Sequence, residues 1–172
     1  MKFLLILTLL LAACSTTRTP IDAAIPIHWD NAIAYQEQTS QRNAIVKVIR
    51  DEGFAGSGCS WTIAINKKKA AHLDTNEQAT FYVEPGGLLV EVRSNPESGS
   101  LCGRSSWRSH HTTIQKGETK YFRVGFELNN AVFIPVIGFF VKHREMYIEP
   151  YDKPIDWGAD KMLDDPDPEE GF

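Results

Sequence analysis

From residue 44 onward, apolar and polar side chains alternate with a period of two, the signature of strands with one buried and one wet face. Residues 45–50 open the series, and 61–65 follow with Trp61, Ile63 and Ile65 on one face. A short strand is expected at 70–73. Residues 80–83 point Phe81 and Val83 inward, and 88–93 point Leu88, Val90 and Val92 inward. Residues 107–114 carry polar side chains on both faces and read as an edge strand. Phe122, Val124 and Phe126 form the inner face of 121–126, and strands at 132–141 and 146–148 complete the set.

Turn chemistry punctuates these runs. Glu84-Pro85-Gly86-Gly87 suits a type II turn, with Pro85 presetting φ and Gly86 taking the positive φ. Lys116-Gly117-Glu118 marks another, and Asn66-Lys67-Lys68-Lys69 reads as a hairpin tip, because Asn tolerates a left-handed backbone. Short strands at this spacing predict a mainly β chain folded as a single β-sandwich. Residues 29–38 are expected as a short helix before it.

The first residues follow a different rule. Lys2 precedes an apolar run from Phe3 to Leu11, too short to span a bilayer permanently, and Leu11-Ala12-Ala13-Cys14 ends it. That run resembles the bacterial lipobox, which implies cleavage before Cys14, lipid on its thiol and acyl chains in a membrane. The alternative is an ordinary secretory signal. Ser15, where an Asp would imply inner-membrane retention, implies the outer membrane, with the domain facing the periplasm. The expected division is a signal peptide at 1–13, a lipidated tether at 14–28, a sandwich at 29–160 and an acidic, Pro-broken, disordered tail at 161–172.

Without residues 1–13, 159 of the 172 residues remain, enough for one domain with a core. They carry 17 basic against 22 acidic side chains, a balance that argues against nucleic acid as a partner. Cys59 and Cys102 remain after processing. An even pair in an oxidising compartment reads as a disulfide. Two buried thiols or one reactive thiol are the alternatives. The bridge would tie the Gly/Ser-rich loops 51–60 and 95–106 together.

The order of elements resembles small bacterial lipoproteins with a domain of unknown function, and the wider class of PEGA-like sandwich modules. The residues that carry it are Ile49-Arg50, Gly56-Ser57-Gly58-Cys59, Asn66-Lys67-Lys68, Thr80-Phe81-Tyr82-Val83, Pro85-Gly86-Gly87 and Gly117-Glu118-Thr119-Lys120-Tyr121-Phe122. The hairpin lacks the usual glycine, and Gly87-Leu88 stands where a histidine is usual. The resemblance implies an immunoglobulin- or PEGA-like sandwich and brings no catalytic residues with it.

The residues assemble no reactive set. The glycine-rich run 53–58 has neither the phosphate-loop spacing nor the nucleophile elbow. His110 and His111 are adjacent, so strand geometry sends them to opposite faces, and His28, His72 and His143 are dispersed. No metal or cofactor is expected, and no catalytic residue is assigned. Arg104, Trp107, Arg108, His110 and His111, beside Cys102, have the composition of a contact surface. The expected function is therefore a non-catalytic binding or structural module of the envelope, meeting a protein or a glycan. The alternatives are a small envelope hydrolase or an inhibitor of a foreign one.

Overall fold

The computed structural model describes residues 18–52, 58–99, 102, 106–134 and 138–151, and within 127–134 and 138–145 the backbone alone. Among the described residues nine strands form two sheets. They are β1 (Ile25–Pro26), β2 (Ala44–Arg50), β3 (Trp61–Ile65), β4 (Lys68–Leu73), β5 (Glu77–Val83), β6 (Gly86–Ser94), β7 (Arg108–Ile114), β8 (Thr119–Ile134) and β9 (Gly138–Pro150). One sheet has the order β1-β5-β2-β8-β9 and the other β4-β3-β6-β7, so the chain is a β-sandwich as its period-2 pattern predicts. β7 is an edge strand, as its two polar faces require.

The alternation sorts residues between core and surface. Val46, Val48, Trp61, Ile63, Ile65, Phe81, Val83, Val90, Val92, Phe122 and Val124 are all buried in one cluster. Trp61 meets Phe126 edge to face at 4.9 Å, and the Arg50 guanidinium lies 4.3 Å from the Trp61 ring centroid. Arg50 is itself buried, and its Nη1 donates to the carbonyls of Cys59 (2.6 Å) and Leu73 (2.8 Å). Burial lowers its pKa to about 10, so it remains a cation at neutral pH.

These bonds define two poles. Arg50, Cys59, Leu73 and Asp51 lie at one, where β2 ends. The β3–β4 turn lies at the other, with Asn66 and Lys67 both at positive φ as a two-residue hairpin loop demands. Gly117 (φ 75°) turns the chain there too, and Ile45 donates its N–H to the Glu118 carbonyl at 2.9 Å. Gly86 takes a positive φ after Pro85, as the turn chemistry predicts.

Three expectations are corrected. The helix at 29–38 is only a 3-10 turn, Trp29–Asn31. The backbone beyond it is claimed by β4: Ala32 bridges to Ala71, and Ile33 and Ala34 donate to the Ala70 carbonyl. The segment expected as a free tether, 14–28, is docked from Thr19 onward. Thr19 and Ala24 are buried, and β1 adds to β5 in parallel. Its backbone found partners on an otherwise open sheet edge. Finally, 132–141 is not one strand. β8 and β9 form a single long hairpin, paired from Phe122↔Pro150 to Ile134↔Gly138, with the reversal between Ile134 and Gly138. Residues 1–17, which include the signal and Cys14, and the tail 161–172 lie outside the described residues.

Candidate functional site

The densest polar chemistry lies at the Arg50 pole, on the outer face of the five-stranded sheet. Strand alternation puts Ile49, Asp51 and Arg123 on that face, yet all three are buried. Arg123 Nη1 pairs with Asp51 Oδ1. Its Nη2 donates to the Thr19 carbonyl at 2.9 Å, and the Thr19 N–H donates back to Asp51 Oδ1 at 2.9 Å. The Tyr147 hydroxyl donates to Asp51 Oδ2. Glu52 N–H donates to Thr19 Oγ1 at 3.0 Å, and the Tyr151 ring covers the Arg123 guanidinium at 4.2 Å. Residues 19–24 thereby lie across the sheet as a third layer, with Gln78 Nε2 donating to the Ala24 carbonyl at 2.8 Å.

Backbone choices make room for this arrangement. Gly125 pairs with Tyr147 across β8 and β9, and a Cβ on Gly125 would fall on the phenol ring. A glycine inside a strand marks such a close approach. Burial, and then the hydrogen bond to Asp51, push the Tyr147 hydroxyl well above its ordinary pKa, so it stays a donor at neutral pH. The Asp51 carboxylate, accepting three bonds beside a buried guanidinium, is satisfied, while Arg123 Nε has no hydrogen-bond partner among the described residues. The pair has the chemistry of a lock, holding the N-terminal segment on the sandwich.

The residues expected as one contact surface divide between two faces. Arg108 pairs with Val92 and His110 with Val90, positions on the inner side of β6. Trp107 and His111 take the opposite parity, on the outer face. Trp107 is 38% exposed and lies 4.5 Å from the Arg93 guanidinium. Arg104 lies outside the described residues. Cys59 and Cys102 form the disulfide, with Cα atoms 5.4 Å apart, at the Arg50 pole. Among the described residues no three potential metal-ligating side chains gather.

His110 opens a second feature. Its ring lies 5.5 Å from Phe122, at the mouth of a cleft of about 390 Å³ in the seam between the sheets. His110 and Thr112 line one wall, Lys120, Tyr121 and Phe122 another, and Pro150 and Tyr151 close it. Glu118 at its rim accepts the Gln115 N–H at 2.6 Å, which holds its carboxyl below the ordinary value, with Lys120 at 3.3 Å adding to the effect. The cleft runs from Tyr151, beside the lock, toward the opposite pole. Aromatic faces with an ion pair at the rim can grip a sugar ring or a peptide side chain.

Neither a scan of protein-family models nor a search of curated proteins returns a match to this chain. The site therefore rests on its own geometry. Sequence patterning missed Thr19, Arg123 and Tyr147, which are far apart in the chain and meet only across β8 and β9. Two signals pointed to them: Gly125 inside a strand pattern, and the charged Arg123 between Phe122 and Val124.

Proposed function

We propose that this chain is an envelope lipoprotein of the PEGA-like kind, anchored through lipid on Cys14 and facing the periplasm from the outer membrane. Its sandwich binds an envelope protein or glycan without performing chemistry. The lock at Thr19 carries this reading. Five residue steps separate Cys14 from Thr19, a reach of about 17 Å when extended. A buried ion pair that fixes the chain so soon after the lipidation position suits a domain held close against its membrane. The two-sheet fold supports the resemblance, and the aromatic cleft at the β7 seam supports a binding role. On an anchored chain the cleft would open away from the membrane, with Lys67 at the far pole.

The anchor is tested by intact mass of the chain purified from membranes, beside Cys14→Ser. A chain beginning at residue 14 with acyl mass is expected, and its loss in the variant. An unmodified chain that keeps Met1 overturns the anchor. The cleft is tested by a photoreactive residue in place of Lys120 in the living envelope, with the same residue at Lys67 as control. Adducts specific to position 120 are expected, and equal labelling at both positions sinks the cleft as the binding surface.

A further inference from the structure

The β8–β9 hairpin outgrows the sandwich. β8 pairs with β2 only as far as Val124, opposite Arg50, whereas its pairing with β9 continues to Ile134↔Gly138. Beyond Val124, among the described residues, each strand of the hairpin has the other as its only ladder partner. From Gly125 to Ile134 this arm is roughly 30 Å long if straight. Two strands alone are marginal in water, so such an arm needs a companion.

The order of residues along the arm says what the companion is. Within the sandwich, β6 alternates between buried and half-buried positions, the pattern of a strand with one face on protein. The arm is instead zoned along its length. Its outermost described rungs are Ala131↔Val141, Val132↔Phe140, Phe133↔Phe139 and Ile134↔Gly138, all apolar. Consecutive residues of a strand fall on opposite faces, so both faces of the tip are apolar. The next rungs inward are Asn129↔His143 and Leu128↔Arg144, with Lys142 between the zones, so basic residues follow directly on the apolar tip, and then comes Glu127↔Glu145. A protein groove covers one face of a hairpin. Lipid covers both and asks for basic residues at the depth of the phosphates. The four rungs span about 10 Å, within half of a ~30 Å hydrocarbon core. Among the described residues the outer N–H and C=O groups of the two-stranded arm have no ladder partner, which disfavours deep insertion and puts the tip where water and ester carbonyls reach it.

We infer that the β8–β9 arm is a membrane-docking hairpin, burying residues 131–134 and 138–141 at the headgroup–acyl boundary of an anionic bilayer. This deepens the anchored-module reading and rests on it for the identity of the membrane. The lock ties the two together: Arg123 and Tyr147 flank the root of the arm, and Thr19 is bonded to that root by Arg123 and to its Asp51 partner. The lipid on Cys14 and the arm would then enter one surface from one pole.

The test uses the chain from Ser15 onward, which keeps every described residue and has neither signal nor lipid. It is floated with vesicles of phosphatidylcholine and phosphatidylglycerol in a 3:1 ratio. Co-flotation is expected, with at least tenfold weaker binding for Phe133→Glu/Phe140→Glu and an unchanged melting temperature. If that variant fails to fold, Lys142→Glu/Arg144→Glu serves, losing binding to the anionic vesicles. A chain that stays at the bottom of the gradient overturns the inference. So does a double variant that floats as well as its parent, or an oligomer that Phe133→Glu/Phe140→Glu converts to a monomer without any flotation. Failure of the anchor is read separately, from the mass of the membrane-purified chain.

Discussion

Replacing Asp51 with alanine removes the acceptor at the centre of the lock. Three donors lose their partner together: the Arg123 guanidinium, the Thr19 N–H and the Tyr147 hydroxyl. Arg123 is only 1% exposed and keeps, among the described residues, the Thr19 carbonyl as acceptor, which belongs to the segment being released. Removing one member of a buried ion pair costs about 3–5 kcal/mol, because the remaining charge is left uncompensated. For a sandwich of this size the melting temperature should fall by roughly 10–20 °C. Urea unfolding measures the loss, and hydrogen exchange at residues 19–26 measures release of the N-terminal layer, which should precede global opening. Asp51→Leu/Arg123→Met removes both charges and should recover most of the loss, since apolar replacement of a buried pair is often neutral. The reasoning is refuted if Asp51→Ala costs under about 1 kcal/mol, or if the double variant is as unstable as the single one.

Three further outcomes follow from the same contacts. Gly125→Ala should destabilise by about 1–3 kcal/mol by overpacking against Tyr147, and the cost should largely vanish in a Tyr147→Ala background, measured as a double-mutant cycle. Tyr147 is the source of an alkaline dependence. Its folded pKa is raised above the ordinary ~10, so the unfolded chain loses that proton first and stability declines as pH rises past about 10. Tyr147→Phe should flatten that decline in denaturant titrations from pH 8 to 11, and an unchanged slope would deny the buried phenol its role. Removing the bridge with Cys59→Ser/Cys102→Ser frees a loop with a separation of 43 residues and should lower stability by about 2–4 kcal/mol in non-reducing urea titrations.

The architecture was largely legible in the alternation of side chains. Trp61, Ile63 and Ile65, Leu88, Val90 and Val92, and Phe122 and Val124 all face the core, as period-2 parity requires. Local turn rules likewise anticipated Gly86 and Asn66 at positive φ and a turn at 116–118. Where backbone partners came from afar, local rules failed. The expected helix at 29–38 lost its backbone to Ala70 and Ala71, and the expected tether became a layer through Asp51, Arg123 and β5.

Alternation along the chain determines by itself which residues can share a face, because the pleat forces neighbours apart whatever surrounds them. It also determines that Cys14, Cys59 and Cys102 are present with their spacing, and that the stretch from Ala131 to Val141 is apolar. Which face meets which partner is not encoded locally. Only the tertiary arrangement brings Thr19 to Arg123, 104 positions away, and carries β8 beyond the last rung of β2. The physical reason is that hydrophobic burial is non-directional, whereas a buried charge must find a specific partner, and such partners are supplied by the packing of distant strands.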